Sequence, residues 1–212
     1  MSESVRAAGA EVARNQFMGR PVWVAGSTHA IEEEQVLDAH AAARQRIPNL
    51  LLVLAPRHPP RFAEVKELLR WRGLRFVSRS TQDAIEPSTE VVLLDSLGEL
   101  TTFYAAAGLA FVGGTLVPVG GHNLLEPAAL DVPVVCGPHV FNAPEIAQKL
   151  REAHALVQIA NATELASAIV DLFGDDARRG ALARNAAQVL AANRGAVDRV
   201  LALLDARLLA SS

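Results

Sequence analysis

The sequence has little of what several common classes of protein require. Its single cysteine, Cys136, lies inside an apolar run, which excludes a disulfide framework and a cysteine-rich zinc site and is typical of a reducing cytoplasm. The longest apolar stretch, Tyr104 to Gly121, is interrupted by glycines and by Pro118, so it predicts a helix end, a strand and a loop rather than a membrane span. No Asp-x-Asp metal signature and no secretory signal are visible. What remains is a globular chain of 212 residues, long enough for one large domain or two small ones.

The chain has no large excess of acidic or basic residues, and it has few aromatic side chains. Lysine and arginine total 20 and aspartate and glutamate total 23, so the formal net charge of −3 does not indicate a general polyanion binder, and we expect no nucleic-acid partner. The basic residues are nearly all arginine, because Lys66 and Lys149 are the only lysines. Hydrophobic residues make up 50% of the chain and aromatic residues only 5%, which predicts an ample, mainly aliphatic core.

Short apolar runs alternate with helical patterns along most of the chain. Most of these runs are continuous, as in parallel strands that are covered on both faces. The predicted strands are Val22–Ala25, Leu50–Ala55, Leu74–Ser78, Val91–Leu94, Leu109–Val112, Val132–Cys136 and Ala155–Ile159. The predicted helices are Ile31–Ile47, Arg61–Arg72, Gly98–Ala107, Asn123–Leu130, Pro144–Glu152 and Thr163–Phe173.

This alternation predicts an α/β fold, a Rossmann-like, doubly wound parallel sheet with flanking helices. After Phe173 the pattern is helical and predicts two extra C-terminal helices, Ala177–Asn193 and Ala196–Leu209. Residues 1–19 are polar and mixed and are expected to be a helix or an unpacked leader. Residues 20–212 then form a single domain.

The stretch from Gly120 to Pro127 is the most informative part of the chain. It follows an apolar run and a first glycine pair, so it predicts a strand, a glycine-rich turn and a helix start. Glycines let a backbone approach an anion, and the first N–H groups of a helix point at it. Glu126 falls about one turn into that helix, where it could accept hydrogen bonds from ribose hydroxyls. The alternative is a loop that merely caps the helix, with Asn123 as the N-cap.

Polar groups also follow the other predicted strands. Ligands of doubly wound sheets bind beyond the carboxyl ends of the strands, so this gathering favours an anionic, nucleotide-like ligand. The segments concerned are Gly26-Ser27-Thr28-His29, Pro56-Arg57-His58-Pro59, Ser78-Arg79-Ser80, Asp95-Ser96-Leu97-Gly98-Glu99-Leu100, Gly113-Gly114-Thr115 and Gly137-Pro138-His139.

The order of these motifs resembles the C-terminal half of the 3-deoxy-D-manno-octulosonic acid (Kdo) transferases of Gram-negative bacteria. The resemblance covers about residues 20 to 205, and Leu124 departs from it where the family often has proline, a residue that fits the first position of a helix. The motifs that carry it are Gly26-Ser27-Thr28-His29, Pro56-Arg57-His58, Asp95 with Gly98-Glu99-Leu100, Gly113-Gly114, Gly120-Gly121-His122-Asn123 with Leu125-Glu126-Pro127, Gly137-Pro138-His139 and Asn193-Arg194-Gly195-Ala196.

The resemblance implies the architecture of a GT-B glycosyltransferase, a two-domain enzyme roughly twice this length. In that family the N-terminal half carries the membrane anchor, the lipid A precursor site and the proposed general base. The expectation is therefore that residues 20–212 are the donor-binding domain, that the N-terminal acceptor domain is absent, and that residues 1–19 are a remnant of the interdomain connection. The full enzyme would act at the cytoplasmic face of the inner membrane, with this part soluble.

The resemblance also implies an activity, the inverting transfer of Kdo from CMP-Kdo to a lipid A precursor in lipopolysaccharide biosynthesis. CMP-Kdo is the substrate nucleotide, neither a cofactor nor a metal is expected, and the isolated chain should be inactive. No catalytic residue is assigned here. The implied donor-binding residues are Ser27, Thr28, Arg57, His58, Gly98, Glu99, Gly120, Gly121, His122, Asn123 and Glu126.

Several structural alternatives remain open at this point. Ser27 and Thr28 could cap the following helix, and Glu99 could complement a helix dipole. The run Glu32-Glu33-Glu34 is predicted to be a solvated helical face with a favourable first turn. Two other functions compete, a free-standing nucleotide-binding module without chemistry and a domain of a UDP-sugar transferase or epimerase of the GT-B type.

Overall fold

A computed structural model describes the backbone of residues 3–209 and the side chains of residues 3–192. The strands are β1 Val22–Thr28, β2 Leu51–Pro56, β3 Phe76–Ser78, β4 Val91–Leu93, β5 Leu109–Val112, β6 Val134–Cys136 and β7 Leu156–Gln158. The helices are α1 Glu3–Gln16, α2 Glu32–Arg44, α3 Arg61–Trp71, α4 Leu100–Ala106, α5 Leu125–Ala128, α6 Pro144–Glu152, α7 Ala162–Gly174 and α8 Asp176–Leu209.

The strands form one seven-stranded sheet in the order β3-β4-β2-β1-β5-β6-β7, and every neighbouring pair is parallel. The doubly wound α/β fold predicted from the sequence is confirmed. The strand order reverses direction at β1, which pairs with β2 on one side and with β5 on the other. This topological switch point is where open α/β sheets bind ligands.

The inner strands β1, β2, β4, β5 and β6 are mainly apolar and almost entirely buried, whereas the edge strands β3 and β7 are partly exposed. Successive side chains of a strand point to opposite faces. Trp23 and Ala25 of β1 therefore join the core cluster that includes α2, α3 and α7. Val22 and Val24 join the cluster on the other face, with Phe103 of α4. Helices thus cover both faces, as the continuous apolar runs require.

Helix α1 is packed against the domain. A Cβ atom on Gly9 would lie only 2.5 Å from the Cβ of Ala105, so the glycine allows α1 to lie directly on α4. The ring of Phe17, just after α1, lies 6.3 Å from that of Phe103. Most of residues 1–19 therefore form a helix that packs on α4, which is the helical one of the two alternatives expected for this segment.

The C-terminal helical region differs from its prediction. The structure has one continuous helix, α8, from Asp176 to Leu209, where the sequence predicts two helices. The region around Asn193 and Gly195 carries no proline, and a glycine inside a helix costs only about 1 kcal/mol, which does not end it. The side chains of the predicted segment Ala196–Leu209 lie outside the described residues.

In the described part of the chain, none of the helices is both long and apolar enough to cross a bilayer.

Candidate functional site

The two loops at the switch point are in direct contact. Gly113 N, after β5, donates to the carbonyl of Gly26 in β1 at 2.8 Å. A Cβ atom on Gly113 would lie 2.4 Å from the carbonyl oxygen of Ser27, so only glycine permits this approach. The end of β2 joins them, because Arg57 N donates to the Thr28 carbonyl at 2.9 Å. The carboxyl ends of β1, β2 and β5 therefore meet at one place.

A cleft of about 280 Å³ lies at this meeting point. Its walls combine apolar side chains with hydroxyl, amide, guanidinium, imidazole and carboxylate groups. The lining residues are Ser27, Arg57, Leu100, Tyr104, Val112, His122, Asn123 and Glu126. The structure thus brings Ser27, Arg57, His122, Asn123 and Glu126 of the predicted set together, although their contact with a ligand stays a prediction.

The glycine pair Gly120-Gly121 turns the chain toward the cleft. Both residues have positive φ, 103° and 81°, which glycine adopts without strain. Their N–H groups donate to the carbonyl of Gly114 at 3.1 and 2.8 Å. A Cβ atom on Gly120 would lie 2.5 Å from the side chain of Asn142. The pair therefore shapes the loop that places His122, and it lies outside the lining of the cleft.

Helix α5 is much shorter than predicted. The sequence indicated Asn123–Leu130, whereas the helix runs only from Leu125 to Ala128. Proline fits only the first turn of a helix, so Pro127 requires a start close to it. The Asn123 side chain accepts a bond from Leu125 N at 3.1 Å. A single turn has little macrodipole, so an anion here would depend on side chains instead.

Three histidines lie beside the cleft. The Nε2 atoms of His29 and His122 are 2.7 Å apart, and their rings are parallel, with an interplanar angle of 1° and centroids 5.0 Å apart. The His58 ring meets His29 edge-on at 5.5 Å between centroids. Burial, with the neighbouring His29 and Arg57, lowers the pKa of His122 to about 4. Burial and the charges of His58, Arg57 and Arg61 lower the pKa of His29 as well.

The prediction of a solvated acidic face is wrong for Glu32 and Glu33, because both side chains are 0% exposed. The Glu32 carboxylate accepts bonds from the backbone N–H groups of His29, Gly114, Thr115 and Leu116, at 2.7 to 3.2 Å. Burial raises the pKa of the Glu32 carboxyl, and these N–H groups oppose that shift by favouring the ionised form. Glu32 thus ties the loop after β1 to the loop after β5.

Glu33 is held from the other side of the site. It pairs with Arg61 of α3 at 3.0 Å, and it accepts a bond from the Thr28 hydroxyl at 3.4 Å. Burial raises the pKa of the Glu33 carboxyl, and Arg61 opposes that shift. Thr28, predicted to contact a ligand, is fully buried and faces this carboxylate.

The remaining predicted residues lie outside the lining of the cleft. Gly98 has φ of 82° and leads into α4. Glu99 pairs with Arg79 at 2.8 Å, and Arg79 and Ser96 hold the pKa of the Glu99 carboxyl below its usual value. His58 is exposed and reaches the site only through His29.

Sequence reasoning missed Tyr104, the only tyrosine of the chain. Its ring is buried in the core, yet the residue lines the cleft. A Cβ atom on Gly26 would lie 2.0 Å from the Tyr104 hydroxyl oxygen, so that glycine makes room for it. Burial and the charge of Glu126 raise the pKa of Tyr104. The signal was available, because Tyr104 follows Leu100 by one helical turn and shares its face.

His29 and Glu32 were missed for a different reason. The sequence placed His29 after a strand, within a motif, but gave no partner for it. Its partner His122 is 93 residues away, and the loop that Glu32 holds is 82 to 84 residues away. Such contacts are set by the order of strands in the sheet.

Larger hollows occur elsewhere in the described residues. One of about 450 Å³ lies between the end of α1 and the loop after β3, and one of about 350 Å³ lies between α2 and α7. Neither contains a residue of the predicted site. Within the described part of the chain, no group of three or more His, Cys, Asp or Glu side chains could hold a metal ion.

Comparison with known proteins gives consistent matches, although no protein-family model matches the chain. The chain is 44% identical over 186 residues to the 3-deoxy-D-manno-octulosonic acid transferase of Haemophilus influenzae, covering 87% of this chain and 44% of the relative. The transferase of the same name from Bordetella pertussis is 37% identical over 191 residues, covering 88% and 45%. The chain thus spans a little under half the length of these relatives.

A solved structure covers almost the same stretch. It is the crystal structure of the C-terminal CMP-Kdo binding domain of WaaA from Acinetobacter baumannii, 34% identical with a TM-score of 0.85. The match covers 89% of this chain and 99% of that one.

Proposed function

The chain belongs to the Kdo transferase family and matches its C-terminal domain, and from this premise we propose that it is the donor-binding half of a Kdo transferase. The donor would be CMP-Kdo, the molecule named for the Acinetobacter domain. The observation that carries the proposal is the cleft at the switch point, where Ser27, Arg57, His122, Asn123 and Glu126 converge.

The charges around the cleft suit this donor. CMP-Kdo carries two anions, the phosphate and the sugar carboxylate. Arg57 and His122 line the cleft, and His29 and His58 adjoin it, so cationic and N–H donor groups are available for both anions. Glu126 and Asn123 lie on the same wall, where they would accept from and donate to ribose hydroxyls. Side chains of this kind can stabilise a departing monophosphate, so we propose transfer without a metal ion.

The complete reaction requires a second half of the enzyme. We propose that a segment equivalent to the rest of the relatives' length binds the lipid A precursor and supplies the general base. The base would deprotonate an acceptor hydroxyl, which displaces CMP directly and inverts the anomeric carbon. The full enzyme would work at the cytoplasmic face of the inner membrane, in lipopolysaccharide biosynthesis.

Nucleotide titration tests this proposal. We expect the chain to bind CMP, more weakly than a closed two-domain enzyme and in the range of about 1 mM, or about 4 kcal/mol. Calorimetry would compare CMP, UMP and UDP, each with and without a chelator. Equal or tighter binding of UDP would favour a UDP-sugar enzyme, and binding that requires magnesium would contradict the metal-independent form of the proposal.

Two substitutions locate the binding site. Glu126→Gln and Asn123→Ala should each weaken CMP binding by roughly 1–3 kcal/mol, because each removes a hydrogen bond to the ligand. Glu145→Gln is a matched control, since Glu145 is an exposed carboxylate in the first turn of α6. Thermal melts must show that the variants stay folded. Unchanged CMP affinity in either variant would remove that residue from the site.

An activity assay tests whether the reaction requires both the donor-binding half and the N-terminal half of the enzyme. A radiolabelled-donor assay on this chain alone should show no Kdo transfer, because the acceptor must be aligned and deprotonated, and alignment supplies much of the rate. Addition of the N-terminal half of a relative, fused or in trans, should restore turnover that still requires Arg57 and Glu126. Transfer by the chain alone would mean that it contains the base, with His122, Glu99 and Asp95 the first residues to substitute.

A further inference from the structure

His29 faces the site from the loop after β1. Its backbone N–H donates to Glu32, and its ring meets the parallel ring of His122, which follows the loop after β5. The two rings therefore come from the loops after β1 and β5, whose backbones are tied together by the buried Glu32 carboxylate. His122 lines the cleft, so the pair, called here the histidine pair, lies at its edge.

The geometry of the histidine pair limits how many protons it can hold. The two Nε2 atoms are 2.7 Å apart, which is a hydrogen-bond distance. One Nε2 must then carry a hydrogen and the other must accept it, so at least one of the two rings is neutral while the bond persists. Starting from two neutral rings, one added proton fits on Nδ1 of the donor ring, which becomes an imidazolium and keeps the bond. A second added proton would place two Nε2–H groups face to face and break the bond, so the pair can take up one proton.

The surroundings favour a neutral pair when no anion is present. Burial is the first cause that lowers the pKa of both histidines. Arg57 and His58 add to this for both rings, and Arg61 adds to it for His29. The carboxylates nearby are already engaged, Glu32 by four backbone N–H groups and Glu33 by Arg61. Glu126 is the acidic group that shares the lining of the cleft with His122.

An anion in the cleft would reverse this balance. An opposite charge within a few ångströms favours the charged form of a histidine. The phosphate or carboxylate of a nucleotide sugar would lie beside His122 and Arg57, and would offset the repulsion from the other cations. With one added proton the pair holds one imidazolium, which can make a charge-assisted contact with the ligand, the stronger kind.

We propose that His29 is a further binding residue of the donor, and that the histidine pair takes up one proton from solvent when the anionic group of the donor binds. The proposal rests on the proposed function, because it takes the donor to be an anionic cytidine nucleotide. The two histidines act jointly, because the neutral ring accepts the hydrogen bond that the charged ring donates. By linkage, donor affinity should then fall as the pH rises above neutrality.

Calorimetry measures proton uptake directly. CMP is titrated at about pH 7.5, where a phosphate monoester has already lost its second proton, in two buffers with different heats of ionisation. The difference between the two apparent enthalpies gives the protons taken up, and we expect roughly half to one per CMP. Cytidine, which lacks the phosphate, should produce no uptake.

The variant His29→Gln separates the histidine pair from other sources of a proton. It should abolish the uptake and weaken CMP binding at least about tenfold, since it removes a charged hydrogen bond to the ligand. His154→Asn is the matched control, because His154 is exposed, lies far along the chain at the end of α6 and has φ of 51°, which asparagine tolerates. Thermal melts monitor folding of both variants.

Each outcome decides between the possibilities. Uptake that persists in His29→Gln would place the proton on the phosphate or another group and overturn the inference. Binding of CMP without uptake by the unmodified chain would also overturn it, while leaving the proposed function intact. Complete failure to bind CMP would overturn both. Long-range ¹H–¹⁵N spectra of the CMP complex should show one imidazolium within the pair, and a spectrum in which both His29 and His122 are neutral would contradict the proposal.

Discussion

Tyr104 is a buried aromatic residue whose hydroxyl reaches a polar cleft. No hydrogen bond from this hydroxyl to another described residue is present, and the ring is held by Phe103, Leu100 and the close approach to Gly26. The residue lines the cleft beside Glu126, and we predict that a bound nucleotide hydrogen-bonds to the hydroxyl there.

Substitution of Tyr104 by phenylalanine tests this directly. The ring and its packing are kept, so the melting temperature should change little. The affinity for CMP should fall about fivefold to tenfold, the usual worth of one neutral hydrogen bond. Calorimetry on the variant and on the unmodified chain gives both values. Unchanged affinity would show that the hydroxyl does not contact the nucleotide.

Ile31 carries backbone strain at an exposed position. Its φ is 71°, a region that a β-branched side chain adopts only at a cost, and its side chain is 69% exposed, so little burial offsets that cost. Ile31→Gly should therefore raise the free energy of unfolding by about 1 kcal/mol, measured by urea denaturation. Glu34→Gly, in α2, should lower it by about the same amount because glycine is unfavourable within a helix. A loss of stability in Ile31→Gly would contradict the strain argument.

At the scale of elements, Glu32 joins two loops that the sequence separates widely. Its Oε1 accepts from Thr115 and Leu116, and its Oε2 accepts from His29 and Gly114. The α2 N-terminus and the loop after β5 are thereby fixed to each other. Because the histidine pair stands on these two segments, the geometry of the cleft depends on this carboxylate.

Replacing Glu32 by glutamine should destabilise the domain. Whichever way the amide turns, its NH₂ group faces two backbone N–H donors, which leaves buried donors unpaired at a cost of roughly 3 kcal/mol in total. Glu34→Gln is the matched control, since Glu34 is exposed in the same helix and its replacement should change stability by less than about 0.5 kcal/mol. Chemical denaturation measures both. Similar small effects in the two variants would show that Glu32 is not a structural link.

The bounds of the helices show which parts of the architecture could be predicted from the sequence. Helix α6 was predicted with both ends correct, because Pro144 fixes its first turn and Lys149 and Arg151 favour its last. Helix α5 was predicted too long, because the apolar pattern continues past Ala128 into the turn before β6. Periodicity is a local signal, and it cannot tell a continuing helix from a buried connection.

At the scale of the whole molecule, the doubly wound sheet and the location of the cleft followed from local patterns. Continuous apolar runs between helices indicated parallel strands, and polar residues after the runs indicated the edge at which a ligand binds. The contacts that assemble the site were not predictable in this way. Glu32 looked like a first-turn carboxylate, and its burial depends on the pairing of β1 with β5, which no local pattern records.

His40 lies in the main core and makes the whole domain sensitive to acid. Trp23 Nε1 donates to His40 Nδ1 at 3.2 Å, so Nδ1 has no proton, and His40 Nε2 then donates to the Glu90 carbonyl at 3.0 Å. A second proton on Nδ1 would face the indole N–H. Burial is the main cause that lowers the pKa of His40 to about 3, with Arg44 and Arg20 adding to it.

The linkage between pH and stability follows from that lowered pKa. The unfolded chain protonates His40 below about pH 6.5 and the folded chain does not until about pH 3, so the stability that His40 contributes is complete above about pH 6.5 and is lost as pH falls toward about 3. The loss from this residue should approach about 1.4 kcal/mol per pH unit. Urea denaturation of the unmodified chain and of His40→Gln at several pH values isolates the effect as the difference between the two slopes. His40→Gln should be less stable at neutral pH, but its free energy of unfolding should change less with pH below about pH 6. His154→Asn should show the same pH dependence as the unmodified chain. Equal slopes of stability against pH in the unmodified chain and in His40→Gln would contradict this prediction. They would mean that His40 is protonated as readily in the folded core as in the unfolded chain, despite the bond from Trp23.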